Sequence, residues 1–189
     1  MVYSLAASLR QLKPEKRTQA LARRADNELP FVDAEQSVGP PLLLDTTVYI
    51  DVLQRRAPPE VAALLRMRLI NHSTVALGEL THLFGRLDPS HPTTKSTLGP
   101  IKGVIDDIPP HRLSTPSAQV AADAGIVTGI LARVNGLAKT DRQPFWNDAN
   151  LFLQALENGW TLLSRNISDM DFIEQLVPTG RMLLYRQIA

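Results

Sequence analysis

LLLDTTVYIDVL, residues 42–53, decides the frame: three aliphatic residues halt at Asp45, and the pattern then changes period. A short run that is apolar throughout suits a strand covered on both faces, and Val48, Val52 and Leu53 then share one face of a helix. Such a strand-then-helix unit recurs downstream. Pro58-Pro59 punctuates, Glu60–Leu69 is a second expected helix, and Ser73–Ala76 a second strand. Leu80, Leu83, Phe84 and Leu87 follow at i, i+3, i+4 and i+7, an apolar helical stripe. Beyond the loop at Asp88–Thr94 come a helix at Lys95–Asp107, despite Pro100, and a strand at Arg112–Ser114. Thr115-Pro116 predicts an N-cap and a proline in the first helical position, opening a helix to about Val134. Asn147 predicts another N-cap, with Trp146 and Leu151 spaced for a hydrophobic staple, and Asn158-Gly159 ends that helix. Trp160–Ser164 and Met182–Tyr185 are the last strands. Alternation of this kind predicts an α/β fold with a central parallel sheet.

Gly39-Pro40-Pro41 breaks the chain ahead of this frame, so residues 40–189 form the expected main domain and residues 1–39 an N-terminal extension. In the extension Leu5, Leu9 and Leu12 sit at helical spacing, and Pro14 interrupts them. A second helix is expected around Lys16–Ala25, where Lys16, Arg17, Arg23 and Arg24 suit either a solvated face or a contact surface for RNA or a partner.

Composition removes several classes of function. A hydrophobic share of 44% supplies a core and argues against disorder. The absence of cysteine excludes disulfides, zinc thiolates and thiol nucleophiles together. A net charge of +1 does not announce a nucleic-acid binder, so any such binding needs a local basic surface. No apolar run approaches the roughly 18 residues of a membrane span. MVYSLAASLRQLKPEKR has no basic stretch ahead of its apolar part, which makes a poor signal peptide, and a cytoplasmic location is the expectation.

The acids carry the chemistry. Asp45 follows the first strand, Glu79 falls where the second strand gives way to a helix, Asp148 opens a helix, and Asp169 lies just past the strand ending at Ser164. The carboxyl edge of an open parallel sheet is where crevices form, so four acids distant in sequence can converge there. Each also has a local reading. Asp45 suits an N-cap, and Glu79 and Asp148 suit the positive end of a helix macrodipole. Clustered, they would repel one another, and a divalent cation is the usual remedy. Oxygen ligands without His or Cys favour Mg²⁺ or Mn²⁺ over zinc.

These stretches resemble the motifs of PIN-domain ribonucleases, in particular the VapC-type toxins of toxin–antitoxin pairs. LLLDTTVYIDVL resembles the family's opening strand with its Asp and hydroxyl residue, STVALGEL the segment carrying its glutamate, and NDANLFLQALENGWTLLSRNISDMDF the third motif. The resemblance spans roughly Leu42 to Tyr185 and implies a three-layer α/β/α domain with a central parallel sheet, plus the helical extension. It implies Asp45, Glu79, Asp148 and Asp169 as catalytic acids, with Asp45, Asp148 and Asp169 holding Mg²⁺ (or Mn²⁺). Thr46, Ser164 and Asn166 would support the site, and Arg165 would meet a substrate phosphate. It further implies RNA as substrate, a cognate antitoxin protein and a homodimer. SDMDF offers both Asp169 and Asp171, and the spacing after Arg165-Asn166 favours Asp169. Asn135–Phe145 is longer than the family pattern, and the extension has no counterpart in the compact domain.

The implied reaction is hydrolysis of a phosphodiester, with no side-chain nucleophile. Lys139 and Arg142 are further phosphate contacts or plain surface charge, and Trp146 serves as a staple or stacks on a base. Three rivals remain. A phospho-receiver would want a lysine where Arg165 stands, a haloacid-dehalogenase-type phosphatase would want Asp-x-Asp-x-Thr where Asp45-Thr46-Thr47 stands, and a PIN-like module that binds RNA or protein without turnover would keep the fold.

Overall fold

The computed structural model describes residues 3–33 and 38–188, so residues 1–2 and 34–37 of the predicted extension, and residue 189, lie outside the described residues. Five strands, β1 (Leu42–Leu44), β2 (Ile70–Ser73), β3 (Leu113–Ser114), β4 (Thr161–Ser164) and β5 (Met182–Leu184), form a sheet in the order β3-β2-β1-β4-β5. Every pairing is parallel. The helices among the described residues are α1 (Leu5–Leu12), α2 (Thr46–Leu53), α3 (Pro59–Met67), α4 (Thr74–Arg86), α5 (Thr94–Asp106), α6 (Ala118–Val134), α7 (Arg142–Glu157) and α8 (Ile167–Leu176).

β1 takes the centre because it is aliphatic on both faces, and Leu42 and Leu43 have no exposed surface. Parallel strands are joined by right-handed crossovers. From β1 through β2 to β3 the chain moves one way across the sheet; from β3 through β4 to β5 it crosses back over β1. Helices α2–α5 therefore cover one face and α6–α8 the other, the three-layer α/β/α arrangement expected. α7 packs on β1 and β4 while α2 packs on β4 from the opposite side. The reversal falls between β1 and β4, which pair Leu44 with Leu163. A crevice opens outside the carboxyl ends of strands at such a switch point.

Several boundaries differ from expectation, each for a local reason. β2 ends at Ser73, whose hydroxyl accepts from the Val75 N–H (3.1 Å) and caps α4, so Thr74–Ala76 is helical and not strand. Ser117, not Thr115, caps α6, accepting from the Val120 N–H (3.2 Å). α7 begins at Arg142, so Asn147 is not a cap. Pro144 is tolerated there because first-turn N–H groups have no intrahelical partner. On the stripe of α4, Leu80 is buried but Phe84 is exposed. In the turn before β5, a Cβ on Gly180 would stand 2.2 Å from the Phe152 ring, so only glycine fits.

The extension forms α1 as predicted, but no helix follows at Lys16–Ala25; a 3₁₀ turn at Pro14–Lys16 gives way to irregular chain. Side chains of the main domain replace the missing helical hydrogen bonds. Asn135 donates to the Leu21 carbonyl (2.8 Å) and accepts from the Leu21 N–H (3.0 Å), and Gln175 donates to the Ala22 carbonyl (3.1 Å). The Arg24 guanidinium meets Asp171 (2.6 Å) and Glu174 on α8. Further on, Phe31 bridges Leu184, adding a short segment to the outer edge of β5. Arg24 is thus a structural anchor.

Asp171 is fully buried. Burial pushes its carboxyl up, but the Arg24 N–H and guanidinium together with Gln175 outweigh that and hold it below the ordinary value. A depressed folded value means stabilisation that is present above the unfolded value of about 3.9 and lost as the pH falls through the folded one. Arg24→Ala should cost up to about 3 kcal/mol near neutrality, the low end for orphaning a buried charge because Arg24 is part-exposed. Urea denaturation should show that gap at pH about 7 and a much smaller one at pH about 3. An equal loss at both would mean that the ion pair does not tie the extension down.

Candidate active site

Asp45 occupies the N-cap position of α2, yet its carboxylate does not cap the helix. Oδ2 accepts from the Ser164 hydroxyl across the β1–β4 pairing (2.5 Å) and from the Thr47 hydroxyl (2.7 Å). Ser164 in turn accepts from the Asn166 N–H (2.9 Å). Asn166 caps α8, and its amide nitrogen donates to Asp148 (2.7 Å) and to Asp169 (2.9 Å). On the other flank Glu79 accepts from the Thr46 hydroxyl and from the Asn147 amide (2.7 Å). All four predicted acids therefore lie at the switch point, joined through Thr46, Thr47, Asn147, Ser164 and Asn166.

The boundaries of α4 and α7 settle two of the local readings. Glu79 is the sixth residue of its helix and Asp148 the seventh, both beyond the first turn, so the macrodipole does not account for them. Asn147 was missed as a site residue because an Asn before an apolar run carries the mark of a cap. Thr47 was passed over as well, although a second hydroxyl two residues after Asp45 was a usable signal.

Every donor to these acids is neutral. None of the four takes part in an ion pair among the described residues. Burial raises the Asp148 carboxyl well above its ordinary value, and the charges of Asp45, Asp169 and Glu79 raise it further against the Asn166 hydrogen bond. Burial likewise raises Asp45, with Glu79 adding to it, although the Ser164 and Thr47 hydroxyls pull the other way. The negative field is uncompensated.

The two candidates for the fourth acid divide. Asp171 faces Arg24 and belongs to the extension's anchor, whereas Asp169 shares the Asn166 amide with Asp148. Arg165 is salt-bridged to buried Asp51 (2.7 Å), which also accepts from the Tyr185 hydroxyl (2.9 Å), and to none of the four acids. An all-carboxylate donor set with no counter-charge suits a hard divalent cation in its chemistry. Among the described residues no three His, Asp or Glu side chains are gathered into a ready cage. The oxygens are spread over the neutral donors named above.

The chain matches no protein-family model and no curated protein. Solved structures match it in fold. A chain of VapBC2 from Rickettsia felis, bound to a DNA fragment from its promoter, superposes with a TM-score of 0.53 at 15% identity, over 76% of this chain and 98% of that one. A chain of DNA-bound VapBC from Salmonella typhimurium gives 0.52 at 18%, over 76% and 97%. FitAcB from Neisseria gonorrhoeae gives 0.51 at 20%, over 76% and 96%. The likeness is one of architecture. With the parallel sheet and its two helical layers, the fold is a PIN-like α/β/α domain, preceded by a segment whose described residues hold one α-helix, α1. Among the described residues no helix is long and apolar enough to cross a membrane.

A raised carboxyl destabilises the fold once ionised. Its contribution is neutral below the unfolded value, and a penalty accrues as the pH rises through the raised folded one. Asp148→Asn in chelator should therefore melt at a higher temperature than the parent at pH about 8, and show little gain at pH about 4. Thermal melts at the two values check this; a variant less stable at pH 8 would mean that the field is compensated.

Proposed function

We propose that this chain is a divalent-cation-dependent endoribonuclease that hydrolyses RNA phosphodiester bonds, acting as the toxin of a toxin–antitoxin pair. The observation that carries the reading is the set of four carboxylates at the switch point, buried or half-buried and held by neutral donors alone. Such a set stores negative potential that a cation relieves. Likeness in fold to VapBC and FitAcB chains supports the toxin assignment.

Asp45, Asp148 and Asp169 would hold Mg²⁺ (or Mn²⁺), with Glu79 completing the acid set. When bound, the cation supplies water activation and offsets charge on the phosphoryl oxygens. Ser164 and Thr47 fix the rotamer of Asp45, Asn166 holds Asp148 and Asp169 side by side, and Thr46 and Asn147 aim Glu79. Arg165, steadied by Asp51, would take a substrate phosphate. The same acidic crevice would draw an arginine from a cognate antitoxin, and the protein would act as a homodimer.

Purified protein should cleave RNA with Mg²⁺ or Mn²⁺ and stop in excess chelator. Asp45→Asn, which keeps size and shape but removes charge from a strand end, should cost on the order of 100-fold or more in rate. Asp148→Asn should behave alike. Asp169→Asn should impair cleavage, while Asp171→Asn should impair stability first. Undiminished cleavage by folded Asp45→Asn would sink the assignment. A folded protein that binds RNA without cutting it would leave the binding-module reading. Co-expression with the product of the adjacent reading frame should yield a complex and relieve growth inhibition.

A further inference from the structure

Beside the acids lies a cleft of about 660 Å³ between α4 and α7, lined at its inner end by Thr46, Glu79 and Asn147 and farther out by His82, Arg86 and Trp146. A second depression of about 300 Å³, lined by Gly125, Thr128 and Arg142, shares Gln143 and Trp146 with the first. The two form one track with Trp146 at the junction and an exposed arginine on each side. Neither Arg86 nor Arg142 is ion-paired among the described residues. Arg86 stands seven residues beyond Glu79 on α4, about 10 Å along the helix. Gln143 donates to Asn147 (3.0 Å), which donates to Glu79, so the floor of the track is hydrogen-bonded to the acid set.

We infer that this track binds single-stranded RNA flanking the scissile bond, with Arg86 and Arg142 holding backbone phosphates and Trp146 stacking a base. The inference rests on the nuclease reading and supplies what a net charge of +1 withholds, a local basic surface. Cations without a carboxylate partner, set on either side of an aromatic ring, suit a flexible polyanion carrying flat bases.

The test uses Trp160→Phe protein, in which Trp146 is the remaining tryptophan, and a single-stranded oligoribonucleotide of about eight nucleotides in chelator. Saturable quenching of Trp146 is expected. Arg86→Ala and Arg142→Ala should each weaken binding and lower the salt slope by about one. In turnover with Mg²⁺, Trp146→Ala should raise KM about tenfold with kcat nearly kept, and Trp146→Phe should restore most of it. Absent quenching, together with KM unchanged in all three alanine variants, would overturn the track. If those variants instead lose the adjacent frame's protein and keep RNA affinity, the groove is a protein dock and the inference also falls. Loss of cleavage in Asp45→Asn beside either result leaves the nuclease reading standing; undiminished cleavage there removes that reading first.

Discussion

Parallel pairing of β1 with β4 is the constraint on which the molecule turns. Because the strand order reverses there, the two carboxyl ends open into a common crevice, and Asp45 and Ser164 meet across it. Burying carboxylates with no cation beside them is costly, and a rigid frame of fully buried aliphatic residues, Leu42, Leu43, Leu162 and Leu163, holds them in place. The neutral donors orient the charges without cancelling them. An arginine in place of Asn166 would quiet the field and with it the site's affinity for a cation.

A second constraint runs through the extension. Among its described residues the backbone beyond α1 makes only two 3₁₀ turns of its own, and Asn135, Gln175 and Asp171 supply further hydrogen bonds to it. The extension in turn covers the outer edge of β5, where an unpaired strand would invite another chain. By claiming Asp171 and Glu174 it leaves Asp169 as the acid of α8's first turn that turns to the crevice. The acids of this helix thus divide between holding the fold together and charging the site.

Much of this was legible in the chain because it depends on local pattern. Aliphatic runs of three or four residues marked β1 and β4, amphipathic spacing marked α1, α4, α6 and most of α7, and the order of elements implied a parallel sheet with acids at one edge. Helix starts were less legible, since Ser73, Ser117 and Asn147 each offer a capping side chain and only the surrounding packing decides which one is used.

What the sequence determined by itself is therefore the fold class and the place of Asp45 at the end of β1, because side-chain period and strand-to-helix order are properties of neighbours. The tertiary structure alone decided that Asn147 serves Glu79 and caps nothing, that Arg165 is held by Asp51, and that Asp171 answers to Arg24. It alone brought Arg86 and Arg142 to either side of Trp146 along one track. Apart from Arg142 and Trp146, which stand one turn apart on α7, those relations join residues tens of positions apart or more, and they are set by which helix covers which face of the sheet, a choice that no local spacing encodes.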